Sequence, residues 1–158
     1  MEDGIRRLTV SLDDAGKVSS VSGYKSDANG NILWIDAYEL LDKNYTLDYS
    51  MTLQALLVMD SVEHGTLYDS SKVRNRTFIN GEGAPELAIT VSSSGEITDI
   101  REFMTDANGA VASVIAYKLN ATVMFANHTL EQIQNLRGHL WGDLKISRTF
   151  VDLEGSAK

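Results

Sequence analysis

At 158 residues, with 43% hydrophobic and 23% charged side chains, the chain has the composition of a globular protein. It has no apolar run near the roughly 18 residues that cross a bilayer. The net charge of −8 is shared between the halves, 8 basic and 12 acidic side chains in residues 1–80 against 6 and 10 in 81–158. That balance argues against nucleic acid or a membrane surface as a partner. The absence of cysteine removes disulfides, thiolate metal sites and cysteine nucleophiles together.

The start of the chain, Met1-Glu2-Asp3-Gly4-Ile5-Arg6-Arg7, is charged and lacks an apolar h-region, so a signal peptide is not expected and synthesis is placed in the cytoplasm. Leu8 to Leu12 then alternate apolar and polar with period two. Asp13-Asp14-Ala15-Gly16 supplies a turn, and alternation resumes at Val18, which predicts a β-hairpin. The second strand runs past Tyr24 to Asp27-Ala28-Asn29-Gly30, where Asn-Gly offers the positive φ of a tight turn. A third strand is predicted over residues 32–41 and a short fourth over Tyr45, Leu47 and Tyr49. From Leu53 to Val62 apolar residues fall at helical spacing behind Ser50 and Thr52, with a stop at His64 and Gly65. A strand near Val73 to Ile79 closes the unit.

The same order then returns. Asp27-Ala28-Asn29-Gly30 recurs as Asp106-Ala107-Asn108-Gly109, and residues 8–40 laid on 87–119 give 9 identities in 33 pairs, where average composition gives roughly 2. Val10 faces Ile89, Val21 faces Ile100 and Tyr24 faces Phe103. After two short deletions Thr52-Leu53 matches Thr129-Leu130, and Arg76-Thr77-Phe78 matches Arg148-Thr149-Phe150. The second half is read as strands at residues 87–91, 97–103, 110–119 and 122–126, then a capping-box helix at Thr129 and Gln132, a last strand at 145–151 and a polar tail.

The predicted fold class is α+β: a tandem duplication of an antiparallel β-meander followed by a helix and a closing strand, the two repeats packed as a pseudo-dimer. Residues 1–80 form the first repeat, 81–86 the connector with the only proline, and 87–158 the second, within one compact unit.

Chemistry-bearing motifs are scarce. Asp27-x-Asn29-x-Asn31 resembles the start of a calcium loop but has Tyr38 where a bidentate glutamate belongs, and Ala110 replaces Asn31 in the second copy. Asp27, Asn29, Gly30, Asp106, Asn108 and Gly109 are therefore read as turn residues. His64, His128 and His139 form no metal-ligand spacing, and neither a nucleophile elbow nor a phosphate-binding glycine loop occurs. No catalytic, metal or cofactor residue is assigned. Lys72, Arg74 and Arg76 alternate along one strand as the charges of an ordinary solvated or ion-paired strand do. Arg76 and Arg148, kept at matching places, and Trp34 and Trp141, which do not match each other, are the interface candidates.

The expected function is a non-enzymatic structural or interaction protein, a homo-oligomer or an accessory component of a large symmetric assembly. Its concrete form is a phage virion protein, capsid-decorating or tail, and the localisation would then be the virion. The competing expectation is a small-molecule site, binding or catalytic, in a cleft between the repeats, with Trp34, Asp36 and Tyr49 (against Ser113, Ile115 and Ala126) setting specificity.

Overall fold

The computed structural model describes residues 8–48, 50–61 and 66–151. Eight strands follow one another across a single antiparallel sheet in the order of the chain: β1 (Leu8–Leu12), β2 (Val18–Ser26), β3 (Ile32–Leu40), β4 (Tyr68–Ile79), β5 (Pro85–Val91), β6 (Ile97–Thr105), β7 (Val111–Leu119) and β8 (Trp141–Phe150). Among the described residues two helices interrupt the meander, α1 (Leu53–Leu57) between β3 and β4 and α2 (Leu130–Asn135) between β7 and β8.

This overturns the α+β pseudo-dimer. Among the described residues helix amounts to segments of five and six residues, and the two halves do not stack on each other. They lie side by side in one sheet, joined where β4 pairs with β5.

The physical reason is local. Asn80-Gly81-Glu82-Gly83 is not a linker but the same turn that makes the other hairpins. The N–H of Asp27 donates to the carbonyl of Asn31 at 2.9 Å, and that of Gly30 donates to Asp27 at 3.1 Å; Asn80, Gly83 and Ala84 repeat the pattern, as do the turns opening at Asp13, Ser92 and Asp106. The Asp27 Oδ1 atom also accepts from the N–H groups of Asn29 and Asn31. This is a type I turn followed by a left-handed glycine, with φ +87° at Gly30 and +84° at Gly109. Asn29 and Asn108 keep negative φ, so the two-residue Asn-Gly turn expected from the sequence is corrected: only the glycine carries the strained conformation.

Several other boundaries move. Thr52 caps α1 by accepting from the Ala55 N–H, but the helix ends after Leu57 rather than running toward Val62. The short strands expected at Tyr45–Tyr49 and 122–126 are reduced to the isolated bridges Lys17↔Thr46 and Glu96↔Met124. The closing strands start earlier than expected, at Tyr68 rather than near Val73 and at Trp141 rather than Lys145. In β4 the polar run Asp69-Ser70-Ser71 is held by side chains: Asp69 accepts from Ser71, and Asp60 accepts from both the N–H and the hydroxyl of Ser70. The proposed stop at His64 and Gly65, together with Val62, Tyr49, the first seven residues and the tail, lies outside the described residues.

One face of the sheet carries two separate cores. The first gathers Val18, Val21, Leu67 and Tyr68, with Leu8, Val10, Leu12 and Leu47 around them. The second gathers Leu87, Ile89, Ile97, Ile100 and Tyr117 under Ile133 of α2, and it takes in Phe78 from β4 and Trp34 from β3. The first half thus supplies the wall of the second half's core.

Candidate functional site

Arg76 sits where the two halves meet. Its Nε and Nη2 atoms donate to the two carboxylate oxygens of Asp36 across the β3–β4 pair at 2.6 and 2.7 Å, and Nη1 donates to the His128 carbonyl at 3.0 Å. The guanidinium lies 4.2 Å from the Trp34 ring centroid and 5.0 Å from that of Phe125. Two aromatic faces, a carboxylate and a carbonyl thus satisfy a buried cation, the arrangement that a planar five-donor group permits and lysine does not. Asp36 and Arg76 are both buried. His128 lies beside them with its imidazole held below the ordinary value, first by burial and then by the Arg76 charge. Its Nδ1 accepts from the Ala126 N–H at 3.3 Å, which requires the neutral ring.

The matching arginine has a different fate. Arg148 has Ile115 opposite it on β7, its Nε donates to the Ser113 hydroxyl at 3.2 Å, and it lies 5.0 Å from the Phe150 ring. It is exposed. Trp34 stands edge-on to Phe78 with centroids 6.0 Å apart. Trp141 is a core residue: it donates from Nε1 to the Ile133 carbonyl at 3.0 Å, meets Tyr117 edge-on, and has Arg137 over its ring. The interface candidates therefore separate, with Trp34 and Arg76 at the join of the halves, Trp141 inside the second core, and Arg148 at the edge of the sheet.

Of the residues named for the competing cleft, those on the strands are also placed, while Tyr49 lies outside the described residues. The space between Trp34 and Asp36 is filled by the Arg76 guanidinium, and Ser113 and Ile115 pair with Phe150 and Arg148 of β8. An open depression of about 420 Å³ lies elsewhere, along Tyr38, Glu39, Lys43 and Arg74. At the turn, the backbone N–H of Asn31 leads the hydrogen bonds that hold the Asp27 carboxyl below its ordinary value. Among the described residues no three His, Asp or Glu stand close enough to hold a metal ion, and no helix is long and apolar enough to cross a membrane.

The most unusual surface is the last strand of the sheet. β8 is a ten-residue strand whose only strand partner among the described residues is β7, and residues 143–150 are all exposed. Leu144, Ile146 and Phe150 present 60%, 63% and 52% of their surface. A long apolar edge is uncommon because its unpaired N–H and C=O groups are a template for another strand. Apart from Arg148 and Phe150, which entered through the repeat, these residues carry only an alternating pattern. That pattern is the same for a covered strand as for a bare one. The chain matches no protein-family model, and no curated protein or solved structure is significantly similar to it.

Proposed function

We propose that this chain is a structural protein that joins a larger symmetric assembly through the open edges of its sheet, without a catalytic role of its own. The observation that carries the reading is β8, a ten-residue strand with Leu144, Ile146 and Phe150 on display. Natural sheets blunt such edges with proline, inward charge, bulges or short length. Here the edge carries no proline and stays long; its register shifts with β7 fall before Ser147, and Asp143, Lys145 and Arg148 put charge between the apolar side chains. Edge pairing supplies affinity through main-chain hydrogen bonds, and the apolar side chains set the register.

The narrower form of the reading, an accessory protein of a phage virion, draws on the acidic, cysteine-free and strand-rich chain. The buried Arg76–Asp36 pair favours assembly over a ligand cleft at the join of the halves, because it leaves no room between Trp34 and Asp36 for a small molecule.

The test is the native mass by light scattering over a wide range of protein concentration. The expected result is a multiple of the 17.4 kDa chain, reduced to the single chain by Ile146→Lys or Phe150→Lys, which place charge on the edge. A mass of one chain at every concentration would contradict self-assembly.

A further inference from the structure

The chain contains, in its own middle, a completed version of the contact that its ends lack. β4 and β5 are the last strand of one half and the first of the next. By sequence, β8 corresponds to β4, through Arg148-Thr149-Phe150 and Arg76-Thr77-Phe78, and β1 corresponds to β5, through Leu8 and Leu87, Val10 and Ile89. The β4–β5 pair sets Arg76 opposite Ile89, Thr77 opposite Ala88 and Phe78 opposite Leu87. Among the described residues, no strand pairs with the outer sides of β1 and β8, and β8 is touched there only at its first residue, by the Arg137↔Trp141 bridge.

Burial shows what each open edge is missing. Phe78 is 1% exposed because β5 and the second core close over it, whereas its counterpart Phe150 is 52% exposed. Leu87, Ile89 and Val91 are fully buried, whereas Leu8, Val10 and Leu12 in the corresponding places on β1 stay half-buried beside a core that has no Phe78 of its own. One edge has an aromatic ring without a core, and the other has a core without its wall.

Resting on the assembly reading above, we propose that β8 of one molecule takes β1 of a second copy in the register of the β4–β5 pair. Arg148 then faces Val10, Thr149 faces Thr9 and Phe150 faces Leu8, so that Phe150 completes the first core of the next molecule. The charges fit the same docking. Inside the chain, Arg76 is covered by the segment between Phe125 and Thr129, and the corresponding segment lies between Leu47 and Thr52. The correspondence is structural: Leu47 donates to the Gly16 carbonyl as Phe125 does to Gly95, and Thr52 caps its helix as Thr129 does. Arg148 has lost the carboxylate that Asp36 gives Arg76, with Ile115 in its place, and the segment that would cover it brings the exposed carboxylate of Asp48. Because the two edges differ, the join is heterologous. It propagates from molecule to molecule and ends in a ring if the rotation closes, or a filament if it does not.

The absence of native cysteine makes the register directly testable. Thr9 and Thr149 are both exposed in the single chain. The double variant Thr9→Cys, Thr149→Cys should, under mild oxidation, give a ladder of disulfide-linked chains that collapses to one band on reduction. A control, Thr9→Cys with Ser147→Cys, places its thiols on the same face but two residues out of register, and should cross-link at least tenfold more slowly. Light scattering on the same reduced samples separates the possible failures. An intramolecular disulfide in a single chain would mean that β8 closes on its own β1, overturning the proposal. Larger species without the in-register cross-link would overturn this join while leaving the assembly reading in place. A single-chain mass with no cross-link would sink both.

Discussion

Arg76 and Asp36 form a two-point buried ion pair across β3 and β4, at 2.6 and 2.7 Å, while the same strand position in the second half sets Arg148 opposite Ile115. The side chains of the pair are only 4% and 10% exposed. Removing one partner strands the other charge away from water, so Asp36→Ala should cost about 3–5 kcal/mol in denaturant unfolding. Arg148→Ala, at an exposed position, should cost less than about 1 kcal/mol in a dilute sample of single chains. Equal losses in the two variants would show that Arg76 is not buried as described.

His128 gives the fold a pH dependence with a defined sign. Its folded-state value lies below the ordinary 6.5, through burial and then the Arg76 charge. As pH falls, the unfolded chain therefore takes up this proton first, and the native state holds the ring neutral. The contribution of His128 is fully present above 6.5 and is lost as pH drops through 6.5 toward the lowered native value. His128→Gln should flatten the stability curve between about pH 7 and pH 5 relative to the parent, measured by urea midpoints at matched ionic strength. Parallel curves for the two proteins would dispose of this account.

Tyr38 covers Gly23 on the neighbouring strand, and a Cβ built at Gly23 would fall 2.1 Å from the Tyr38 hydroxyl oxygen and 2.8 Å from the ring carbon that bears it. An aromatic side chain across a strand glycine protects the bare backbone there. Gly23→Ala should destabilise by about 1–3 kcal/mol through overpacking. Adding Tyr38→Ala should then cost less in the Gly23→Ala background than in the parent. A double-mutant cycle with no coupling energy would contradict the contact. In the other half Glu102 takes the place of Gly23, and Tyr117 donates its hydroxyl to the Glu102 carboxylate.

The turn glycines at Gly30 and Gly109 have φ of +87° and +84°, with open space where a Cβ would project. A valine there meets no neighbour, so the penalty is purely conformational, about 1–2 kcal/mol or more for a β-branched side chain. Thermal unfolding of Gly30→Val and Gly109→Val should show comparable losses, since both turns have the same geometry. An unchanged melting temperature in either variant would refute the left-handed assignment.

Much of the meander was legible, because alternation and turn residues act over a few positions. Leu8 to Leu12 and the Asp-x-x-Gly turns gave strands and reversals without knowledge of the rest. The α1 region misled because Leu53, Leu56, Leu57 and Met59 keep helical spacing. Met59 instead packs on the first core, and the chain turns after Val58. The arrangement of the halves could not be read locally, since Asn80-Gly81-Glu82-Gly83 has a linker's composition and a hairpin's hydrogen bonds. Arg76 and Arg148 show the same limit at the candidate site. Identical neighbours in sequence do not reveal that one strand lies inside the sheet and the other at its rim.

The most direct measurement is amide hydrogen exchange along β8, followed from dilute to concentrated protein and compared with β4, whose outward amides are already paired with β5. The account predicts that the β8 amides pointing away from β7 exchange quickly in dilute samples. As concentration rises they should become protected toward the level of β4, with the amides of β1 slowing in step. Outward β8 amides that exchange at the same fast rate at every concentration, while β4 stays protected, would contradict the claim that this edge is built to receive another strand.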